Sequence, residues 1–307
     1  MKVMVTGATG VIGNEIVAEL RARGDEVTAL SRNAESARQK LGPDIETVTW
    51  ADPKAAPPPR DALAGADAIL HLLGEPVAQR WSDEVKREIR DSRVLSTRNV
   101  VAGLRDLPEA ERPRALVSQS ATGWYGARGD ERVDENEPSA DDFLGGVVRD
   151  WEAEARGAGE LGVRVALTRT GVVLSEQGGA LEKMLPFFKL GMGGPVAGGN
   201  QYVPWIHLGD VVGGLLFALD STEASGPLNL TAPEPVTNKE LSRTLGRVLR
   251  RPAFAPVPGF AVKLLYGDMA TIVTTGVRAI PARLDELGYG FRRPELEDAL
   301  RDATGRS

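Results

Sequence analysis

A short apolar run, Lys2–Thr6, meets a glycine-spaced turn, Gly7-Ala8-Thr9-Gly10-Val11-Ile12-Gly13, at the start of this chain. Few folds accept that junction. The β-branched run reads as a buried strand. Ile12–Arg23 then carries Ile12, Ile16, Val17 and Leu20 at helical spacing, and Gly24 stands where helices end in a left-handed residue. Glu26–Leu30 reads as the next strand. Strand, glycine turn, helix and strand make a β-α-β unit, whose crossover requires the two strands to run parallel. The glycines follow the spacing GxxGxxG. A turn this tight excludes a Cβ, lets the backbone approach a pyrophosphate, and presents N–H donors with the positive end of a helix dipole. The motif reads as a dinucleotide cradle; a glycine turn without ligand is the alternative.

The alternation continues. Strands are expected at Glu46–Trp50, Asp67–Leu73, Ala115–Ser120, Arg164–Arg169 and Leu228–Thr231, and helices at Asp83–Leu104 and Phe143–Gly157. This pattern predicts an α/β fold, a doubly wound parallel sheet of the Rossmann type. Residues 1–170 are expected to form the dinucleotide-binding domain, with the sheet completed by about 203–232. Beyond Thr170 the pattern loosens. Gly178–Asn200 is glycine-rich, and Arg251–Gly259 holds Pro252, Pro256 and Pro258. With last helices at Ala282–Leu287 and Glu295–Arg301, residues 171–202 and 233–307 read as a smaller C-terminal substrate lobe. Within it, Pro186–Asn200 is either a mobile lid or a plain surface loop.

Composition removes several functions. The chain has no cysteine, so disulfides, thiolate metal sites and cysteine nucleophiles are excluded. Its two histidines, His71 and His207, read as core imidazoles, and no metal is expected. A formal net charge of −6 argues against nucleic acid as partner. No apolar run reaches the ~18 residues of a membrane span. The stretch Val3–Thr6 stops at glycines with no cleavage-site pattern, so it does not read as a signal peptide. A cytoplasmic protein with a small-molecule substrate is the expectation, with a homodimer as candidate assembly.

The second strand selects between dinucleotides. NAD binders place Asp or Glu at its end to hold the ribose 2′-OH. This strand ends Leu30-Ser31-Arg32-Asn33, without a carboxylate. A guanidinium suits a 2′-phosphate, and Ser31 can donate a hydrogen bond to it. The expected cofactor is NADP; a solvated surface arginine is the alternative reading of Arg32.

Longer segments carry a resemblance. TGATGVIG is joined by His71–Val77 (HLLGEPV), Arg80-Trp81, Arg90–Arg93 (RDSR), Ser118–Gly126 (SQSATGWYG), Trp151-Glu152 and Trp205–Asp210 (WIHLGD). Gly267–Ala270 (GDMA), Arg278 and Leu287–Tyr289 (LGY) extend it almost to the end of the chain. Together these resemble an atypical or extended short-chain dehydrogenase/reductase, of the branch called epimerase-family or sugar-nucleotide-epimerase-like oxidoreductases. The resemblance implies a Rossmann domain with a small C-terminal substrate lobe.

It also implies site residues. Ser120 stands where the superfamily serine faces the substrate oxygen; a turn-stabilising hydroxyl is the alternative. The superfamily Tyr and Lys, one helical turn apart on the next helix, align with Leu144 and Val148, which carry no proton. Arg93 stands in place of a relay asparagine. Tyr125 is the substitute acid, or an aromatic packed at the mouth of the sheet. Glu75, just past a strand end, is a candidate base, or a partner of Arg80 or Arg93. Glu152 reads as a salt-bridge partner. Cofactor contacts carried over are Gly7, Thr9, Gly10, Val11, Ile12 and Gly13 in the turn, Ser31 and Arg32, and Asp52 near the adenine. Leu73, Gly74, Arg93, Thr170, Gly171 and Val172 complete them. The implied function is an NADP(H)-dependent oxidoreductase or epimerase on a small polar or nucleotide-linked substrate, without the usual Tyr/Lys pair. A non-catalytic NADP(H)-binding redox sensor or scaffold is the alternative.

Overall fold

The computed structural model describes residues 1–306. Seven strands form its main sheet: β1 (Lys2–Thr6), β2 (Glu26–Ser31), β3 (Glu46–Thr49), β4 (Ala68–His71), β5 (Ala115–Ala121), β6 (Arg164–Thr170) and β7 (Gly226–Leu230). They lie in the order β7-β6-β5-β4-β1-β2-β3, and every pairing is parallel. The chain runs outward from β1 to β3, then crosses back to place β4 on the other side of β1. That reversal opens a crevice beyond the carboxyl ends of β1 and β4. The expected doubly wound parallel sheet is therefore the observed one.

The main helices are α1 (Val11–Ala22), α2 (Ala34–Leu41), α3 (Arg60–Ala64), α4 (Asp83–Arg105), α5 (Phe143–Arg156), α6 (Gly179–Lys189), α7 (Leu208–Asp220) and α8 (Asn238–Leu249). Strand alternation sends Val5, Leu70, Val117 and Ala166 into one core with Ile16 of α1 and Val211 and Leu215 of α7. Met4, Ile69 and Leu116 point the other way, against Leu63, Val100 and Leu104. Helix starts follow local chemistry. Asn33, Ser82, Asp142 and Thr237 accept hydrogen bonds from backbone N–H groups at the starts of α2, α4, α5 and α8. The start of α1 differs. Its N-cap is Gly10, without a capping side chain, and no acid sits in its first turn. Its leading N–H groups face the crevice end of the sheet with no side chain to satisfy them.

Strand and helix ends fall within a few residues of those expected. The larger difference lies after β6. Gly178–Asn200 contains α6, whose buried Leu181, Leu185 and Phe188 recur at helical spacing behind flanking glycines and an internal Pro186. The stretch after α6 is tied down. Ala197 N–H donates to the Val257 carbonyl at 2.9 Å and Val257 N–H to the Pro195 carbonyl at 2.8 Å. Val196 N–H donates to Asn238 Oδ1 at 2.8 Å. These bonds anchor the C-terminal part of Pro186–Asn200 to Val257 and Asn238. A second apolar cluster joins α6, α8 and the last helix, Leu296–Ala303, through Leu185, Phe188, Leu245 and Leu300.

Candidate active site

The glycine turn is built by close approach. Gly7 has φ +68°, and a Cβ there would lie 2.7 Å from the Leu72 carbonyl oxygen. A Cβ on Gly13 would lie 2.2 Å from the Gly7 carbonyl oxygen. Both glycines are required by the turn itself. Gly10 is looser, since its Cβ would meet only the Gly7 oxygen, at 3.3 Å. Thr9 and Gly10 are exposed, Val11 and Ile12 half-buried.

Beneath the turn, a buried hydrogen-bond chain joins β1, β4 and α4. Leu72 N–H donates to Thr6 Oγ1 at 3.2 Å, and Thr6 Oγ1 lies 2.8 Å from His71 Nδ1. His71 Nε2 lies 3.0 Å from Thr97 Oγ1, whose own proton goes to the Arg93 carbonyl at 2.7 Å. Thr97 must therefore accept from His71, which places the ring proton on Nε2 and leaves Nδ1 as acceptor from Thr6. Burial holds this imidazole neutral, with its pKa lowered to about 4. His207 is buried too. Its Nδ1 accepts from Gly209 N–H at 3.1 Å at the start of α7, and Nε2 lies 3.0 Å from Asp302.

At the end of β2, Arg32 is exposed. It forms no ion pair among the described residues, whereas Lys54, two residues beyond Asp52, pairs with Glu88 at 2.7 Å. Ser31 Oγ accepts a long bond from Asn33 N–H at 3.3 Å. Asp52 follows β3 and folds onto its own turn, accepting from Lys54 N–H at 3.0 Å.

After β4, Leu73 is half-buried and Gly74 exposed. A Cβ at Gly74 would lie 2.9 Å from Arg93 Cζ, so the bare glycine makes room for that guanidinium. Arg93 stacks over Trp151 at 5.4 Å and donates to the Ile89 carbonyl at 2.9 Å. Desolvation lowers its pKa to about 10, with Glu75 opposing. Glu75 is tethered by Gln79 at 3.2 Å. It makes no ion pair within 4.0 Å with Arg80 or Arg93, though its charge acts on Arg93.

At the end of β5, Ser120 is 1% exposed. Its hydroxyl donates to Glu152 Oε1 at 2.6 Å. Glu152 is clasped by Arg169, at 2.8 Å from Nε and 3.0 Å from Nη2, and by Arg156 at 2.7 Å. Arg169 lies 4.0 Å over the Trp124 ring. Tyr125 belongs to the same network and is fully buried. Its hydroxyl donates to Asn229 Oδ1 at 2.7 Å and accepts from Arg169 at 3.1 Å. Burial pushes its pKa up to about 12, Arg169 partly opposing. The expectation of Tyr125 as the substitute acid is corrected: its proton goes to Asn229 and its oxygen accepts from Arg169 in the interior. On α5, Leu144 and Val148 pack against Gly123, whose Cβ would lie 3.4 Å from Leu144 and 3.9 Å from Val148. The Tyr/Lys positions are thus an apolar wall beside the end of β5.

At the end of β6, Thr170 is buried, with its hydroxyl bonded to the Thr168 carbonyl at 3.3 Å. Gly171 has a packing reason of its own, since a Cβ there would lie 2.0 Å from the Pro204 carbonyl oxygen. Val172 then pairs with Trp205 in a short parallel ladder.

Arg169, Glu135 and Asn229 escaped the sequence reading. Glu135 accepts from the backbone N–H groups of Asn229 at 2.9 Å and Arg283 at 3.2 Å, and burial raises its pKa. An arginine within a buried parallel strand was the available signal, because such a charge needs a partner. Glu152 follows Leu144 and Val148 by successive helical turns, so the face itself pointed to it.

A doubly wound sheet with a bare glycine turn, an uncapped helix start above it and a free cation after the second strand defines a dinucleotide-binding protein of the nicotinamide type. The chain belongs to the NAD dependent epimerase/dehydratase family, whose model matches residues 3–230. A second model, the domain of unknown function DUF1731, matches residues 257–303. The chain is similar to the epimerase family protein SDR39U1 homolog, chloroplastic, of Arabidopsis thaliana. The two are 42% identical over 302 residues, covering 98% of this chain and 86% of that protein. It is also similar to the crystal structure of human epimerase family protein SDR39U1 (isoform 2) with NADPH, at a TM-score of 0.89 and 36% identity, covering both chains completely. UDP-glucuronic acid 4-epimerase from Bacillus cereus shares the fold, with a TM-score of 0.78 at 15% identity over 99% of each chain.

Proposed function

We propose that this chain binds NADP(H) across the carboxyl ends of β1 and β4. We further propose that it is an oxidoreductase or epimerase acting on a small polar or nucleotide-linked substrate in the cytoplasm. The observation that carries the reading is the junction of the uncapped α1 start with Arg32, exposed just beyond β2 and without an ion-pair partner among the described residues. An anion is favoured at the first site and a phosphate at the second. The NADPH in the human relative's structure supports the same choice. In this reading Gly7, Thr9, Gly10, Val11, Ile12 and Gly13 hold the diphosphate, and Ser31 and Arg32 hold the 2′-phosphate. Asp52 approaches the adenine. Leu73, Gly74, Arg93, Thr170, Gly171 and Val172 line the remainder.

When bound, the nicotinamide supplies or accepts hydride. The chain orients the substrate and handles the proton. Ser120 donates to Glu152 in the free chain, and it polarises a substrate carbonyl when that hydroxyl turns from Glu152 to the substrate oxygen. Glu75, four residues beyond β4, is the remaining candidate base. The apolar wall of Leu144 and Val148 favours a second reading, a non-catalytic NADP(H) sensor or scaffold.

Following NADPH absorbance across a panel of carbonyl substrates separates the two. Sustained oxidation that falls sharply in Ser120→Ala, with NADPH affinity unchanged, supports the enzyme. Tight NADPH binding with no oxidation by any carbonyl favours the sensor.

A further inference from the structure

A shallow groove of about 280 Å³ is lined by Pro195, Lys239, Arg243, Arg251, Ala253 and Phe254. It contains three cations and no carboxylate. Lys239 and Arg243 stand one turn apart on α8 and so share a face. On the same helix Arg247 is paired with Glu297 at 3.3 Å. Lys239, Arg243 and Arg251 have no ion-pair partner among the described residues. Arg251 instead donates to the Lys189 carbonyl at 3.1 Å, which joins the groove to the end of α6. Between Lys239 and Lys263 the chain holds six cations against one acid, Glu240, within a molecule of net charge −6.

The groove borders exposed apolar side chains. Phe254 is 81% exposed and Leu190 71%, with Phe187 and Met192 above half. The two segments that carry them run side by side, since Pro252 packs within 3.2 Å of the Cβ position of Gly191, and Met192 N–H donates to the Phe187 carbonyl at 2.9 Å. An apolar patch of this kind marks a contact surface rather than scattered exposure.

From this charge pattern we propose that the groove and its aromatic rim dock on an anionic phospholipid surface. Lys239, Arg243 and Arg251 take lipid phosphate, and Phe254 and Leu190 enter the acyl boundary. Aromatic and aliphatic tips beside unpaired cations suit that interface. A second copy fits less well, since a two-fold contact through this patch sets its own cations face to face. No helix among the described residues is long and apolar enough to cross a membrane, and a peripheral contact needs none. The inference is independent of the dinucleotide site.

The test is flotation of the full chain with vesicles of phosphatidylcholine alone, or with about one-third phosphatidylglycerol, at low and high salt. The protein should float with the mixed vesicles only, and less at high salt. Arg243→Ala and Arg251→Ala should each lower partitioning about fivefold, and Phe254→Ser about tenfold. Unchanged melting temperatures show that these surface variants remain folded. Failure to float, equal flotation with neutral vesicles, or indifference to the three substitutions overturns the proposal. So does saturable binding of inorganic phosphate without flotation, which makes the groove a soluble-phosphate site. A dimer in sedimentation that Phe254→Ser dissolves overturns it as well.

Discussion

Ser120 and Glu152 share a 2.6 Å hydrogen bond between the end of β5 and the face of α5 that carries Leu144 and Val148. The carboxylate also balances Arg169, which is 1% exposed. Removing one partner of such a buried pair leaves an uncompensated charge in the interior. Glu152→Ala should therefore cost about 3–5 kcal/mol in urea unfolding. Arg156 also pairs with Glu152, but its side chain is 47% exposed, so Arg156→Ala should cost less than about 1 kcal/mol. Similar losses in the two variants contradict this division.

The glycine turn separates folding from binding. Gly13→Ala drives a methyl group into the Gly7 carbonyl oxygen at 2.2 Å, and overpacking of this kind costs about 1–3 kcal/mol. Gly10→Ala faces a single contact at 3.3 Å, so it should fold with little loss. Its methyl group lies over the exposed start of α1, and NADPH affinity should fall by about tenfold or more. Thermal melting and fluorescence titration of both variants check the contrast. A Gly10→Ala protein that binds NADPH normally removes the turn from the site.

His71 sets a pH dependence. Its pKa is lowered by burial from 6.5 to about 4. The unfolded chain takes up a proton as pH falls through 6.5, while the folded imidazole refuses it until about 4. The stabilisation is thus complete above 6.5 and lost as pH falls towards 4, by about 3 kcal/mol in all. Urea unfolding across that window should show a shallower acid limb for His71→Gln than for the parent chain. Identical slopes show that the imidazole does not titrate on unfolding.

Much of this arrangement was legible along the chain because it follows local rules. The turn from Gly7 to Gly13, the apolar runs of β1 and β4, and the bare Ser31-Arg32 end of β2 each declare themselves within a few residues. Leu144 and Val148 showed the missing Tyr/Lys pair only through the resemblance to the superfamily, not through local chemistry. What was hidden depends on distant partners. Tyr125 read as a possible acid because nothing near it in sequence reveals that Asn229 and Arg169 take its hydroxyl. Gly74 looked like part of a ligand loop, and only the fold shows the Arg93 guanidinium against it. Helix α6 was masked by its flanking glycines and Pro186, because local turn chemistry opposed a helix that burial of Leu181, Leu185 and Phe188 stabilises.

The measurement closest to the central proposal is titration of NADPH and NADH into the parent chain and into Arg32→Ala, followed by nicotinamide fluorescence. The parent should bind NADPH more tightly. Arg32→Ala should lose about tenfold to a hundredfold in NADPH affinity, with NADH nearly unchanged. Equal affinities in the parent, or an arginine variant that still prefers NADPH, contradict a 2′-phosphate held by Arg32 beyond β2.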